Sequence, residues 1–174
     1  MFDLRKRISE IPDFPKPGIL YRDVLPLLGD PEAFAEVIDR LHAFAEPLSP
    51  DVVLGAEARG FLFGPTLAHR LGCAFAPARK PGKLPGVAWR ESYALEYGEN
   101  SLELAHSAIK PGLRVLIHDD LLATGGTAAA SIALVHQASA VAIGACFVAE
   151  LQGLQGRALL GDLPVLSLVE YAGA

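Results

Sequence analysis

The chain has 174 residues, 51% hydrophobic and 20% charged, with a net charge of −5 and a pI near 5.5. Such a length and apolar content suit one globular domain, residues 1–174, burying roughly 70% of its unfolded surface, and exclude a disordered chain; the acidic balance argues against a general nucleic-acid binder. No apolar run approaches the ~18 residues of a membrane span, the N-terminus lacks the apolar core of a signal peptide, and Cys73 and Cys146, far apart and without metal-ligand spacing, read as reduced core thiols of a cytoplasmic protein.

Residues 1–10 read as a short helix of mixed charge. Residues 11–18, IPDFPKPG, hold three prolines and a glycine, which bar a regular element and predict a stiff turn. Tyr21 and Arg22 follow it. Tyr21 suits an aromatic platform or core packing equally, and Arg22 an anion contact. Asp30 and Pro31 then open a helix as N-cap and first residue. Phe34, Val37, Ile38, Leu41, Phe44 and Ala45 fall at helical spacing along its core face.

A buried strand is predicted over residues 52–54, a loop over 55–60 carrying Arg59, and a helix over 61–70 closed by Gly72. Residues 74–78 are the next strand. Residues 79–89 read as a long irregular loop of the kind that often serves as a lid. Residues 92–97 and 101–104 alternate with period two about Gly98, Glu99 and Asn100, which predicts a hairpin. Tyr93, Leu95 and Tyr97 then share one face and Glu96 takes the other.

The most telling stretch is VLIHDDLLATGGT, residues 115–127. An apolar strand ends in Asp119 and Asp120. A small-residue loop, Ala123, Thr124, Gly125, Gly126 and Thr127, leads into a helix over 128–138. Glycines permit a tight turn and close approach to a ligand. The free N–H groups and positive dipole end of the following helix attract phosphate. Carboxylates suit sugar hydroxyls or a magnesium ion instead. A plain strand–turn–helix crossover, its aspartates merely capping a turn, is the competing reading. His118 is expected to point away from Asp119 as a structural residue. Neither a G-x-x-x-x-G-K-[ST] loop nor a G-x-G-x-x-G fingerprint is present. Apolar strands over 140–148 and 165–169 complete the chain. Strands alternating with helices predict an α/β fold, a mainly parallel twisted sheet flanked by helices on both faces.

Arg79, Lys80 and Lys83 cluster against the global charge and suggest a second anion such as pyrophosphate. Alone, the cluster reads more readily as a solvated loop face, and Glu96 as an ordinary exposed strand residue.

Five stretches together resemble the adenine phosphoribosyltransferases, within the type I phosphoribosyltransferase class: IPDFPKPGILYRD (11–23), EARGFLFG (57–64), RKPGKLP (79–85), YALEYG (93–98) and DDLLATGGT (119–127). The last of these is similar to the whole class and the others narrow the likeness, which continues weakly to Glu170. The resemblance implies transfer of a phosphoribosyl group from 5-phosphoribosyl 1-pyrophosphate (PRPP) to adenine, giving AMP and pyrophosphate with Mg2+. It implies that Ala123, Thr124, Gly125, Gly126 and Thr127 hold the 5′-phosphate, and Asp119 and Asp120 the ribose hydroxyls. Arg59, Arg79, Lys80 and Lys83 would handle pyrophosphate, partly across a homodimer interface. Leu20, Tyr21, Arg22 and Leu121 would form the adenine site. Residues 1–30 would be a base-binding segment and 79–106 a flexible hood, where Glu96 assists proton transfer and Tyr97 helps closure. A cis non-proline peptide near Glu57, Ala58 and Arg59 is a further implication. His118, where the family usually has an aliphatic residue, and Tyr21, where it commonly has Phe, depart from the pattern. Transfer to another purine base, or a PRPP-sensing regulator, are the alternatives.

Overall fold

The computed structural model describes residues 2–94 and 99–173. Its centre is a five-stranded parallel sheet. In chain order its strands are β3 (Val52–Ala56), β4 (Ala74–Ala78), β7 (Arg114–Leu122), β8 (Val141–Leu151) and β9 (Val165–Tyr171), arranged β4-β3-β7-β8-β9. Two antiparallel pairs lie outside it. One joins β1 (Ser9–Pro12) to β2 (Leu20–Asp23), and the other joins β5 (Val87–Ala94) to β6 (Glu99–Ala105). The helices are α1 (Pro26–Gly29), α2 (Pro31–Ala45), α3 (Gly64–Leu71) and α4 (Gly126–Gln137). None is long and apolar enough to cross a membrane.

Local sequence explains the clean boundaries. Asp30 caps α2, accepting from the N–H groups of Glu32 and Ala33, and Pro31 fills the first turn, where its missing donor costs nothing. Gly72 closes α3 in the left-handed region, φ 67°. Leu116, Cys146 and Val148 pack on one face of the sheet with Leu41, Phe63 and Leu67 from the α2 and α3 side. Val115 and Ile117 pack on the other with Leu134 and Val135 of α4 and with Leu102 and Leu104 of the hairpin. Each fully buried leucine contributes about 1.5–3 kcal/mol.

Several expected boundaries move. The helix expected over 1–10 is only a 3-10 turn, Leu4–Arg7, because Ser9 already pairs with Asp23. Ile11 and Pro12, expected within an irregular turn, end strand β1. Helix α3 begins at Gly64 rather than residue 61, because a longer helix would place Pro65 inside it, with no donor and a ring clashing with the preceding turn. Strand β5 begins at Val87 within the expected loop, and Glu99 and Asn100 pair in β6 rather than forming the turn. Strand β7 continues through Asp119 and Asp120 to Leu122, since β8 pairs alongside it that far.

Candidate active site

The strand order doubles back between β3 and β7, and their carboxyl ends open a crevice there. Open parallel sheets bind ligands at such switch points. Arg59 follows β3, and Asp119 and Asp120 sit near the end of β7. A cavity of about 100 Å³ joins Arg59, Asp119, Leu121, Leu122, Phe147 and the loop from Ala123 to Ala128. Gly125 is the N-cap of α4 with φ 84°, a conformation disfavoured for residues with a Cβ. The first N–H groups of α4 have no partner within the helix, so its start is suited to an anion.

The two carboxylates occupy different surroundings. Asp120 is fully buried, and neither of its oxygens accepts a hydrogen bond from the protein; Arg59 Nε stands 3.3 Å from Oδ1. Asp119 is half-buried, lines the cavity, and accepts from the Asp120 N–H at 2.9 Å. Burial raises the pKa of both groups; the neighbouring Asp120 charge lifts Asp119 further, while Arg59 pulls Asp120 back down. Burial works against the Arg59 charge, but Asp120, Tyr21 and Asp119 together hold its pKa above the ordinary value. The centre is therefore an acidic pair beside the Arg59 cation, in which the buried Asp120 oxygens accept no hydrogen bond from the protein.

Arg59 Nη1 also donates to the Tyr21 hydroxyl at 3.1 Å, which brings the N-terminal segment to the crevice. The Tyr21 ring meets Phe14 edge-on, with centroids 5.1 Å apart. Leu20 is half-buried beside it in β2. Arg22, the next residue of the strand, is turned elsewhere. It is buried, ion-paired with Glu10 and stacked over Tyr171, so it is not brought together with Tyr21 and Leu121.

The basic cluster divides. Arg79 is bound to Glu57, Nε to Oε2 at 2.9 Å, and the Lys80 N–H donates to the same carboxylate at 2.7 Å. The Arg79 hydrogen bond is the main cause of the low Glu57 pKa. The Lys80 and Lys83 side chains are exposed, and Lys83 is near enough to Glu57 to lower its pKa as well. Fully buried Glu103 accepts from the Gly82 N–H at 3.1 Å and from Arg90, tying this loop to the hairpin. The Glu57–Ala58 peptide is cis, as the resemblance implies. Glu96 and Tyr97 lie outside the described residues.

His118 points away from Asp119 and is buried, its Nδ1 3.1 Å from the Cys146 carbonyl. That contact makes Nδ1 the protonated nitrogen and leaves Nε2 without a partner. Burial lowers its pKa to about 4.

The phosphoribosyl transferase domain family matches residues 29–158. An adenine phosphoribosyltransferase of Synechococcus sp. is 54% identical over 170 residues, covering 97% of both chains. The chain belongs to the adenine phosphoribosyltransferases. Among solved structures of that family, the enzyme from Thermoanaerobacter pseudethanolicus superposes with a TM-score of 0.93 at 46% identity, over 97% of this chain and 98% of that one. The Saccharomyces cerevisiae enzyme, solved with an imino-altritol bisphosphate and adenine, superposes with a TM-score of 0.90 at 43% identity, over 95% of this chain and 96% of that one. Within this family member the sequence reading overlooked four residues. Glu57 and Glu103 organise the basic loop, Tyr93 receives the Thr127 hydroxyl at 3.2 Å, and Gly156 backs the glycine loop. Glu57 and Tyr93, each within a motif already singled out, carried a signal that could have revealed them.

Proposed function

We infer that this protein transfers the 5-phosphoribosyl group of PRPP to adenine, releasing AMP and pyrophosphate, a purine-salvage reaction. The observation that carries this reading is the convergence at one sheet crevice of an anion-binding helix start, a buried acidic pair and an aromatic residue held by Arg59. In this reading Ala123, Thr124, Gly125, Gly126 and Thr127 hold the 5′-phosphate through backbone N–H groups and hydroxyls. Asp119 and Asp120 accept from the ribose hydroxyls, which supply the donors that the buried Asp120 oxygens lack. Leu20, Tyr21 and Leu121 line the slot for the base.

Adenine N9 forms a bond to the anomeric carbon as the carbon–oxygen bond to pyrophosphate breaks, and the electron pair leaves with pyrophosphate. Positive charge develops on the sugar ring and negative charge on the leaving group. Lys80 and Lys83, with Arg59 and Arg79, offset the leaving charge, partly for a neighbouring subunit. Mg2+ bound with PRPP supplies further countercharge. Carboxylates such as Asp119 and Asp120 would suit an ion that the substrate carries in. Glu96 takes up the proton released by adenine and Tyr97 helps close the hood, excluding water. Glu96→Gln is expected to lower kcat while leaving the KM for PRPP within a few-fold; unchanged turnover would remove that role.

The same reading makes the enzyme a cytoplasmic homodimer. Exposed Ile11, Phe14, Ile19 and Leu25 give the N-terminal segment an apolar surface that a second subunit would cover, and sedimentation velocity measures the state directly. The decisive test is a panel of adenine, guanine, hypoxanthine and xanthine with PRPP and Mg2+, ranked by kcat/KM. AMP from adenine at the highest kcat/KM is expected. A better purine substrate would move the assignment to that base, and no turnover with any would end it.

A further inference from the structure

The segment after β8 touches no part of the cavity yet braces its wall. Gln152–Leu154 and Gly156–Leu160 form two 3-10 turns, and Gln155 between them is left-handed at φ 54°. That kink drives the Gly156 backbone against the back of the phosphate loop. A Cβ on Gly156 would collide with the Ala123 carbonyl oxygen and stand 2.9 Å from the Gly125 nitrogen, and a Cβ on Gly125 would collide with the Gly156 carbonyl. Two backbones this close leave space for neither side chain. Gly156 is therefore fitted to the shape of the loop that lines the cavity.

The brace has its own anchor in the next residue. Arg157 meets buried Glu150 with two nitrogens, Nε at 2.9 and 3.0 Å and Nη2 at 2.6 Å. Its Nη1 donates to the Val165 carbonyl at 3.2 Å, and Ser167 Oγ donates to Glu150 at 2.7 Å. Glu150 stands in register with Leu122, the last residue of β7 before the loop. Glu150 thus pairs through its backbone with the loop's entry strand and holds Arg157, next to the backbone behind the loop, through its carboxylate.

We propose that Gly156 and Arg157 are positioning residues that set the geometry of the phosphate loop from behind, and so govern affinity for the phosphorylated substrate without touching it. This rests on the phosphoribosyl-transfer reading. A planar guanidinium is required at position 157, because an ammonium cannot reproduce the paired contact with Glu150 and reach Val165 as well.

The test compares wild type, Gly156→Ala and Arg157→Lys by steady-state kinetics, by AMP and adenine binding in calorimetry, and by thermal unfolding. Gly156→Ala is expected to raise the KM for PRPP and the Kd for AMP at least tenfold, with the KM for adenine at saturating PRPP within twofold. Arg157→Lys, which keeps the charge and decides the matter if Gly156→Ala does not fold, is expected to raise the KM for PRPP at least threefold with the same selectivity. A lowered Tm with both KM values unchanged, or equal losses for PRPP and adenine, would overturn the inference. Wild-type protein inactive with adenine would overturn the parent reading instead.

Discussion

At the scale of single residues, the crevice holds polar groups left short of hydrogen-bond partners. Asp120 is buried beside Arg59 with neither oxygen accepting a hydrogen bond, a state that costs stability. The acidic pair titrates above the ordinary carboxylate range, mainly from burial. The folded state therefore binds protons more tightly than the unfolded chain, and stability falls as pH rises through the raised values. Asp120→Asn should accordingly raise the Tm of the ligand-free protein near neutral pH by about 2–4 °C, the shift that ~1 kcal/mol produces at this size, while raising the KM for PRPP; calorimetry and kinetics on one preparation check both. His118 has the opposite sign. Its folded value of about 4 lies below the ordinary 6.5, so the unfolded chain binds the extra proton in that window and stability is lost as pH falls through it. The full effect is about 3 kcal/mol. His118→Leu should flatten the dependence of Tm on pH between about 6.5 and 4, and an unchanged slope would exclude His118 as its source.

The orientation of His118 was legible from strand alternation alone, because Asp119 follows it in an apolar strand. Arg22 shows the same rule unused. Consecutive strand residues point to opposite faces, so Tyr21 and Arg22 cannot both face the crevice. Residues 11–18 read as irregular, and the short strand that follows them is recognisable only through its pairing with β1.

At the scale of elements, the hairpin and the glycine loop with its helix form one assembly. Thr127 Oγ1 donates to the Tyr93 hydroxyl at 3.2 Å, and Gln137 at the far end of α4 donates to Glu91 at 2.5 Å. A phosphate at the start of α4 would compete for the Thr127 proton. The Tyr93 hydroxyl can then turn from acceptor to donor, since each hydroxyl has one proton and two lone pairs. Tyr93→Phe should therefore raise the KM for PRPP about two- to tenfold, in line with ~0.5–1.5 kcal/mol for one hydrogen bond, with little change in Tm. An unaltered KM would show that the contact is only a packing detail. Elements with strong local signals, such as the Asp30 cap, strand β4 and the glycine loop, were legible in the sequence. The start of α3 was misplaced although Pro65 marked it.

At the scale of the whole molecule, the central strands bind the two layers into one unit. Leu116 on β7 packs toward α2 and α3, and Val115 and Ile117 pack toward α4 and the hairpin. Leu116→Ala should cost about 2–5 kcal/mol through lost burial and the cavity left behind, and denaturant unfolding should show one transition shifted to a lower midpoint.

The sequence by itself determined the alternation of strands and helices, the acidic pair with its glycine loop, and the likeness to one transferase family. Those features are local: a cap, a period, a turn that needs glycine, or a short motif. The tertiary structure alone decided the strand order that opens the crevice at β3 and β7, the diversion of Arg22 to Glu10 and Tyr171, the pairing of Arg79 with Glu57, and the seating of Gly156 behind the loop. Each depends on groups tens of residues apart meeting at contact distance, where buried charges must find partners and backbones can approach only where no Cβ intervenes.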